Sequence, residues 1–186
     1  MKGCPFGSHR VIEPKGSLPQ AAQRIDNTPR ISDNEILIDV QTLNVDSASF
    51  TQIKGVCGDS EETVAAMITD IVRSRGKLQN PVTGSGGMLI GRVAEIGSLL
   101  KGRGLETGDR IATLVSLSLT PLMIERIEKI HMDKDQVDIR GKAILFESGI
   151  YARLPEDMPD RLALAILDVA GAPAQVDRLV KPGMNV

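Results

Sequence analysis

The chain has 186 residues, of which 41% are hydrophobic and 25% charged, as is typical of a folded domain in water. A net charge of −2 and an aromatic content of 2% argue against the basic surface and stacking rings of nucleic-acid-binding proteins, so we expect no nucleic-acid partner. The sequence has neither an apolar leader nor the roughly 20 apolar residues that span a bilayer, so we predict a cytoplasmic protein without a membrane partner.

The first half of the chain predicts an arm, a strand and a helix. Residues 1–34 are rich in Gly, Pro, Asn and charge, which indicates an N-terminal arm that packs on the domain. Apolar alternation predicts a strand over residues 36–42. A helix is expected over residues 59–75, with Asp59 and Glu62 as a capping box and Gly76 as its end. Its apolar stripe should pack on the sheet: Val64, Ile68, Ile71 and Val72.

The second half predicts further strands and three helices. Strands are expected over residues 88–96 and 111–115, and one long strand or a bent pair over residues 143–154. A helix over residues 122–130 should precede a charged loop at 133–138, and two more helices are expected over 159–169 and 171–180. Lys181, Pro182 and Gly183 predict a tight turn, and the last three residues resemble the start of a strand. A strand needs partners, so we expect the polypeptide to continue.

Short strands separated by glycine turns, with few helices, predict a mainly β or α+β fold. Three segments in this order resemble the medium-chain dehydrogenase/reductase superfamily: residues 91–97 (Gly-Arg-Val-Ala-Glu-Ile-Gly), 108–111 (Gly-Asp-Arg-Ile) and 154–186. The resemblance implies a GroES-like, partly open β-barrel with a few peripheral helices over residues 35–158. It also implies linker helices over 159–186 that lead into a Rossmann domain, which this sequence lacks.

Four runs are similar to a narrower family, the L-erythro-3,5-diaminohexanoate dehydrogenases of lysine fermentation: residues 9–14, 45–50, 80–88 and 111–121. This resemblance implies NAD-dependent oxidative deamination of a small diamino acid to 5-amino-3-oxohexanoate, and a homo-oligomer for the full-length protein. No Gly-x-Gly-x-x-Gly follows a strand here, so NAD should be bound mainly by the missing domain. The chain alone should therefore be inactive, because hydride transfer needs both reactants in place.

The same resemblance predicts that the protein has no zinc. Zinc-dependent relatives hold their metal at positions that match Asp46, the pair Gly87 and Met88, and a position near Ala170. A zinc site needs three or four N, S or O ligands at one point, and these residues do not supply them. Cys4 and Cys57 are interpreted as isolated thiols.

Asp46 and Ser49 are the catalytic candidates. Oxidative deamination needs a neutral amine and a proton acceptor, and Asp46 follows a predicted strand end in the sequence Asp-Ser-Ala-Ser. Ser47 and Ser49 could hold an ammonium group or relay a proton. The alternative is that Asp46 and both serines only cap a turn.

A glycine-rich loop supplies the next candidates. Thr83 and Ser85 could bind substrate, and Gly86 and Gly87 could let the backbone face the nicotinamide of NAD. The loop precedes a strand and lacks Gly-Lys-Ser/Thr, so it is not a phosphate loop. A plain turn remains the alternative.

Three charged residues are further candidates for substrate binding. His9 and Arg10 could hold the substrate carboxylate, unless they belong to a surface arm. Glu147 is a lone charge in an apolar strand and could bind an amine, or alternation could turn it to solvent.

Two other functions stay open. A zinc-free quinone or enoyl reductase would carry the same superfamily segments, and would oxidise NADPH with activated alkenes. A non-enzymatic GroES-like binding module would need neither cofactor nor a second domain.

Overall fold

A six-stranded antiparallel sheet forms the centre of the molecule. In the computed structural model, which describes residues 1–58, 60–169, 171–181 and 183–184, the strand order is β6-β7-β3-β4-β5-β8. The strands are β3 (Glu35–Val45), β4 (Gly87–Ile96), β5 (Arg110–Thr113), β6 (Leu122–His131), β7 (Gln136–Phe146) and β8 (Tyr151–Arg153). A small separate sheet pairs β1 (Val11–Glu13) with β2 (Arg24–Ile25). The edge strands β6 and β8 do not pair in the described part of the chain, so the sheet is open.

Four helices surround the sheet: α1 (Ser47–Cys57), α2 (Glu61–Arg75), α3 (Asp160–Val169) and α4 (Gly171–Leu179). Mainly antiparallel strands with a few helices confirm the predicted mainly β or α+β class. The predicted division at residues 34 and 158 stays a prediction.

The core lies between the sheet and helices α1 and α2. Both faces of strand β3 are covered. Ile38 lies in the main cluster on one face, whereas Leu37 packs with Ile144 and Phe146 on the other. The α2 stripe lies in the main cluster, as predicted: Val64, Ile68, Ile71 and Val72. A separate cluster joins α3 to β4 and β5: Met88, Ile90, Ala112, Leu154, Ala163 and Leu164.

The predicted end of α2 is confirmed, and its predicted start is corrected. Gly76 adopts the left-handed conformation (φ 74°) and donates its N–H to the Val72 carbonyl. The N-terminal cap is Ser60, whose hydroxyl accepts from the Thr63 N–H. Asp59, the expected cap, lies outside the described residues, as do Ala170, Pro182, Asn185 and Val186. The predicted strand start at the chain's end therefore falls mostly on residues that are not described.

The predicted helix over residues 122–130 is wrong, because this segment is strand β6. Its pairing with β7 shifts register between Ile124 and Arg126 and again between Ile127 and Lys129. Each bulge inserts a residue into the strand alternation. The apolar residues Ile124, Ile127 and Ile130 therefore recur every three residues, which imitates one face of a helix.

Two further segments differ from the prediction, and a third confirms one of two alternatives. The predicted charged loop at 133–138 is a shorter hairpin turn, because β7 begins at Gln136. The segment 143–154 contains the end of β7 and all of β8, which confirms the predicted bent pair of strands. Helix α1 was not predicted, since its stretch contains Ser, Thr and Gly and shows no clear apolar period.

The two glycines of the superfamily-like segment 91–97 lie where backbones pass closely. A side chain at Gly91 would clash with the Asp39 carbonyl of β3, and one at Gly97 with the Asp33 carbonyl. Arg110 of the Gly-Asp-Arg segment is buried and donates to the Pro155 and Met158 carbonyls, both at 2.9 Å, and to the Asp160 carboxylate. Arg110 thus fixes the start of α3.

Candidate functional site

Asp46 joins β3 to α1 and is the N-terminal cap of that helix. Its Oδ1 accepts from the backbone N–H of Ala48 at 3.1 Å and of Ser49 at 3.4 Å. The same oxygen accepts from the Ser85 hydroxyl at 3.0 Å. Asp46 Oδ2 makes no hydrogen bond within the described residues. Asp46 can therefore cap α1 through Oδ1 and still offer Oδ2 to a bound molecule.

Three hydroxyls lie next to Asp46. Ser49 Oγ is 2.6 Å from Thr83 Oγ1 and 2.7 Å from Ser85 Oγ, and the last two oxygens are 3.1 Å apart. Ser49 is buried, Ser85 is half-buried and Thr83 is exposed. The chain of hydrogen bonds therefore leads from the Asp46 carboxylate through Ser85 and Ser49 to an exposed hydroxyl.

Buried Asn80 holds the loop that carries Thr83 and Ser85. Its Oδ1 accepts from the N–H of Val82 at 2.8 Å and of Thr83 at 3.3 Å. Its Nδ2 donates to the Ser49 carbonyl at 3.3 Å and so ties the loop to α1. Asn80 was not singled out from the sequence, although an Asn before a Pro is a turn signal.

Gly86 and Gly87 lie against the strand that leads into Asp46. The Gly86 carbonyl accepts from the Asp46 N–H at 3.1 Å. Gly87 has φ 112°, and a side chain there would clash with the Asn44 carbonyl and lie 2.9 Å from Asp46 N. Glycine is thus required for this close approach of two backbones, whatever further role it has.

Asp46, Ser85, Gly86 and Gly87 line a cleft of about 270 Å³. Its walls come from β3, the glycine loop, the segment after β5 and helix α3: Asp46, Ser85, Gly86, Gly87, Met88, Leu114, Val115, Ser116, Leu167 and Asp168. Two of its ten lining residues are carboxylates, on elements far apart in sequence. The cleft is therefore acidic and contains hydroxyl groups.

Asp168 is a residue that the sequence reasoning missed. Desolvation raises the pKa of its carboxyl, the charge of Asp46 raises it further, and a hydrogen bond from Asn44 opposes both. Asn44 Nδ2 donates to Asp168 Oδ2 at 2.5 Å, and Asn44 Oδ1 accepts from Gln136 Nε2 at 3.3 Å. No local motif marks Asp168, because only the packing of α3 brings it to the end of β3.

Ser47 points away from the hydroxyl cluster. Its hydroxyl donates to Asp135 Oδ2 at 2.8 Å, and the Asp135 backbone carbonyl accepts from the Val45 N–H at 2.8 Å. Ser47 lines a second cleft, of about 550 Å³, which shares Asp168 with the first. The structure therefore groups Ser47 near the candidate site but not with Ser49.

Arg10 lies elsewhere and is fully engaged. Its guanidinium donates to both oxygens of Glu35, each at 2.7 Å, and also to the Arg30 carbonyl at 2.7 Å. Both side chains are buried. His9 Nδ1 accepts from the Cys4 N–H at 3.0 Å, which leaves Nε2 to donate to Glu35 Oε1 at 3.0 Å. Neither residue offers a free group to a substrate carboxylate; they fasten the N-terminal segment to β3.

Glu147 lies near the start of β3, in the same region as Arg10 and Glu35. It accepts from Asn34 Nδ2 at 2.9 Å and lies 3.7 Å from the Arg103 guanidinium. Glu35 begins β3 and Asp46 follows its end, so the strand rise places them about 35 Å apart. One small substrate cannot contact both ends, so His9, Arg10 and Glu147 do not form one site with Asp46.

Larger clefts lie away from this region. One of about 600 Å³ follows the surfaces of β3, β6 and β7, and one of about 460 Å³ surrounds Arg10. Some of their charged side chains are paired, for example Lys142 with Asp39 and Arg10 with Glu35. The cleft at Asp46 is the better candidate because it brings together four residues that the sequence singled out: Asp46, Ser85, Gly86 and Gly87.

No three His, Cys, Asp or Glu side chains of the described residues group closely enough to hold a metal ion. Within the same residues, no helix has the length and apolar character required to cross a bilayer.

Fold and cleft together define a class of protein: an α+β domain on an open antiparallel sheet, with an acidic cleft suited to a small cationic molecule. The model of the family described as L-erythro-3,5-diaminohexanoate dehydrogenase N-terminal domain matches residues 9–155, and the chain belongs to this family.

Two relatives agree with the family match. The chain is 66% identical over 187 residues to a protein of Acetoanaerobium sticklandii and 64% identical over 186 residues to one of Fusobacterium nucleatum subsp. nucleatum. Both are named L-erythro-3,5-diaminohexanoate dehydrogenase, and each match covers 100% of this chain and 54% of the relative. The chain thus spans about half the length of these curated relatives.

Proposed function

We propose that this chain is the substrate-side part of an NAD-dependent enzyme that oxidatively deaminates L-erythro-3,5-diaminohexanoate to 5-amino-3-oxohexanoate. The observation that carries the proposal is the acidic cleft between Asp46 and Asp168, whose carboxylates lack a cationic partner among the described residues. Family membership and the relatives' names support the substrate.

The reaction exchanges an amine for a ketone. The C3 ammonium loses a proton, the C3–H bond breaks as hydride leaves, and water adds to the resulting C=N carbon before ammonia departs. The overall balance is substrate, NAD⁺ and water giving the 3-oxo product, ammonium, NADH and one proton. When bound, the nicotinamide accepts the hydride; every proton transfer is left to the protein.

Asp46 is the proposed general base. Its Oδ2 is the oxygen not used in capping α1, so it can take a proton from the substrate ammonium and later from the attacking water. Ser85 donates to the other oxygen and touches Ser49, which touches exposed Thr83. When the carboxyl holds the proton on Oδ1, the Ser85 hydroxyl can turn to accept it, and Ser49 and Thr83 complete a route from the cleft to solvent. Ser49 is thus a positioning and relay residue.

The finer assignments follow from the resemblance. We propose that the fold is a GroES-like domain of the medium-chain dehydrogenase/reductase superfamily, that the rest of a protein of the relatives' length supplies a Rossmann domain, and that Gly86 and Gly87 face the nicotinamide. We also propose NAD as cofactor, no zinc, a cytoplasmic location and a homo-oligomer.

The test uses a full-length polypeptide of the relatives' size that carries this chain. It should reduce NAD and release ammonia in equal amounts with L-erythro-3,5-diaminohexanoate, and residues 1–186 alone should do neither. Asp46→Asn should lower kcat by about 100-fold or more, whereas the exposed Asp157→Asn should not. NADPH oxidation with activated alkenes and no ammonia would instead indicate an enoyl or quinone reductase. The absence of any redox activity would favour a binding module.

A further inference from the structure

Two carboxylates face one cleft without a compensating cation. Asp46 and Asp168 both line the cleft of about 270 Å³. In residues 1–58, 60–169, 171–181 and 183–184, no Lys, Arg or His nitrogen lies within 4.0 Å of either carboxylate. Like charges that share a site repel each other, and a bound cation relieves that repulsion.

The position of Asp168 is fixed from two sides. Helix α3 is anchored at its start by Arg110 and packs Ala163, Leu164 and Leu167 against β4 and β5. At the other end of the helix, Asn44 of β3 donates to Asp168 Oδ2. Gln136 of β7 in turn donates to Asn44 Oδ1, which orients the amide so that its NH₂ group faces Asp168. The Asp168 side chain is exposed, so a bound molecule can reach the carboxylate that Asn44 holds in place.

The chemistry of the cleft matches a molecule with two amino groups. The amino groups of a 3,5-diamino acid lie on alternate carbons, so two carboxylates that line one small cleft can bind both at once. Asp46, next to Ser85 and the glycine loop, has the oxygen and the relay that proton transfer requires. Asp168 has no hydroxyl relay among the described residues, which suits binding without proton transfer.

We propose that Asp168 is a specificity-determining residue that binds the C5 ammonium of the substrate, the amine that is not oxidised, while Asp46 acts on the C3 amine. This assignment rests on the proposed function. It explains how an enzyme of this family would prefer a diamino acid to a monoamino acid, since the second amine gains a charge-assisted hydrogen bond only at Asp168.

The experiment compares two substrates in the full-length enzyme: 3,5-diaminohexanoate and 3-aminohexanoate, which lacks the C5 amine. Asp168→Asn should raise KM for the diamino acid by about tenfold or more and change kcat little. It should leave kcat/KM for 3-aminohexanoate nearly unchanged, so the preference between the two substrates collapses. A residue that only supported the fold would affect both substrates equally.

Two further variants make the result decisive. Asp177→Asn removes an exposed carboxylate of the neighbouring helix α4 and should leave both substrates unaffected. Asp168→Glu keeps the charge and should retain more of the preference than Asp168→Asn. If the asparagine variant fails to fold, Asp168→Ser removes the same charge and takes its place, and an unchanged substrate ratio in that variant would overturn the assignment.

The two possible failures are distinguishable. A wild-type enzyme that oxidises 3,5-diaminohexanoate, combined with an Asp168→Asn variant whose KM is unchanged, overturns the role of Asp168 alone. A wild-type enzyme that oxidises neither substrate overturns the proposed function, and the role of Asp168 with it.

Discussion

The guanidinium of Arg10 and the carboxylate of Glu35 form a buried two-pronged ion pair that fastens the N-terminal segment to the first residue of β3. Ser32 N–H adds a third bond to Glu35 at 2.7 Å, and His9 adds a fourth. Burial by itself would raise the pKa of the Glu35 carboxyl, but the hydrogen bonds and charge of Arg10 lower it overall. The pair therefore contributes to stability rather than to catalysis.

Glu35→Gln should lower the free energy of unfolding by about 3 kcal/mol or more, because it leaves the Arg10 charge buried without its partner. Since the pKa of Glu35 is lowered in the folded state, its contribution is fully present above the ordinary pKa of a glutamate. It is lost as pH falls through the lowered value. Urea unfolding from pH 7 down to pH 3 measures both effects. The exposed Glu13→Gln is the control, and equal stability of the two variants would contradict the prediction.

Lys77 gives the stability a second pH dependence. The side chain is fully buried, and its ammonium donates to the Pro19 and Gln20 carbonyls. Desolvation lowers its pKa from 10.5 to about 8, and the charge of Arg75 adds to this. The unfolded chain therefore binds more protons than the folded chain between these two values, so stability should rise with pH across that window.

Lys77→Met should abolish this rise. Between pH 8 and pH 10.5, the unfolding free energy of the wild type should rise relative to that of the variant, by at most about 3 kcal/mol. Denaturant titrations at fixed pH steps measure it, with the exposed Lys101→Met as control. Parallel curves for wild type and Lys77→Met would show that the ammonium is not desolvated.

Gly87 and Gly84 form a matched pair of left-handed glycines in one loop. Both have positive φ, 112° and 73°, but a side chain at Gly84 meets nothing within 4 Å, whereas one at Gly87 clashes with the Asn44 carbonyl. Gly84→Ala should cost only about 1 to 2 kcal/mol for its backbone conformation. Gly87→Ala should cost more and also reduce the activity of the full-length enzyme, because it displaces the backbone at Asp46. Thermal unfolding and NAD reduction measure the two effects; equal costs would argue against the close approach.

Ser85→Ala tests the hydroxyl relay. The variant removes the donor to Asp46 Oδ1 and breaks the chain to Ser49 and Thr83. We expect kcat of the full-length enzyme to fall by about tenfold, with a larger solvent deuterium isotope effect, while KM changes less. Ser17→Ala, which removes a hydroxyl bonded to the Pro14 carbonyl, is the control. An unchanged isotope effect together with an unchanged kcat would remove the relay from the mechanism.

The sequence alone determined the features that depend on neighbouring residues. The apolar stripe and glycine stop of α2 follow from local periodicity and backbone freedom. Local pattern failed at β6, where two bulges gave strand residues a spacing of three. Family membership could also be inferred from short runs, because those runs are particular to the family.

Only the tertiary structure decided which charged residues share a site. Asp168 joins Asp46 because α3 packs on β4 and β5, and Arg10 and Glu147 are separated from Asp46 because β3 keeps its two ends about 35 Å apart. The sequence shows that Arg10 and Asp46 are both polar groups near apolar strands. It does not show that the Arg10 guanidinium is paired with Glu35, or that Asp46 Oδ2 has no hydrogen-bond partner among the described residues. Such distinctions arise from contacts between residues far apart in the chain, which local propensity and spacing do not encode.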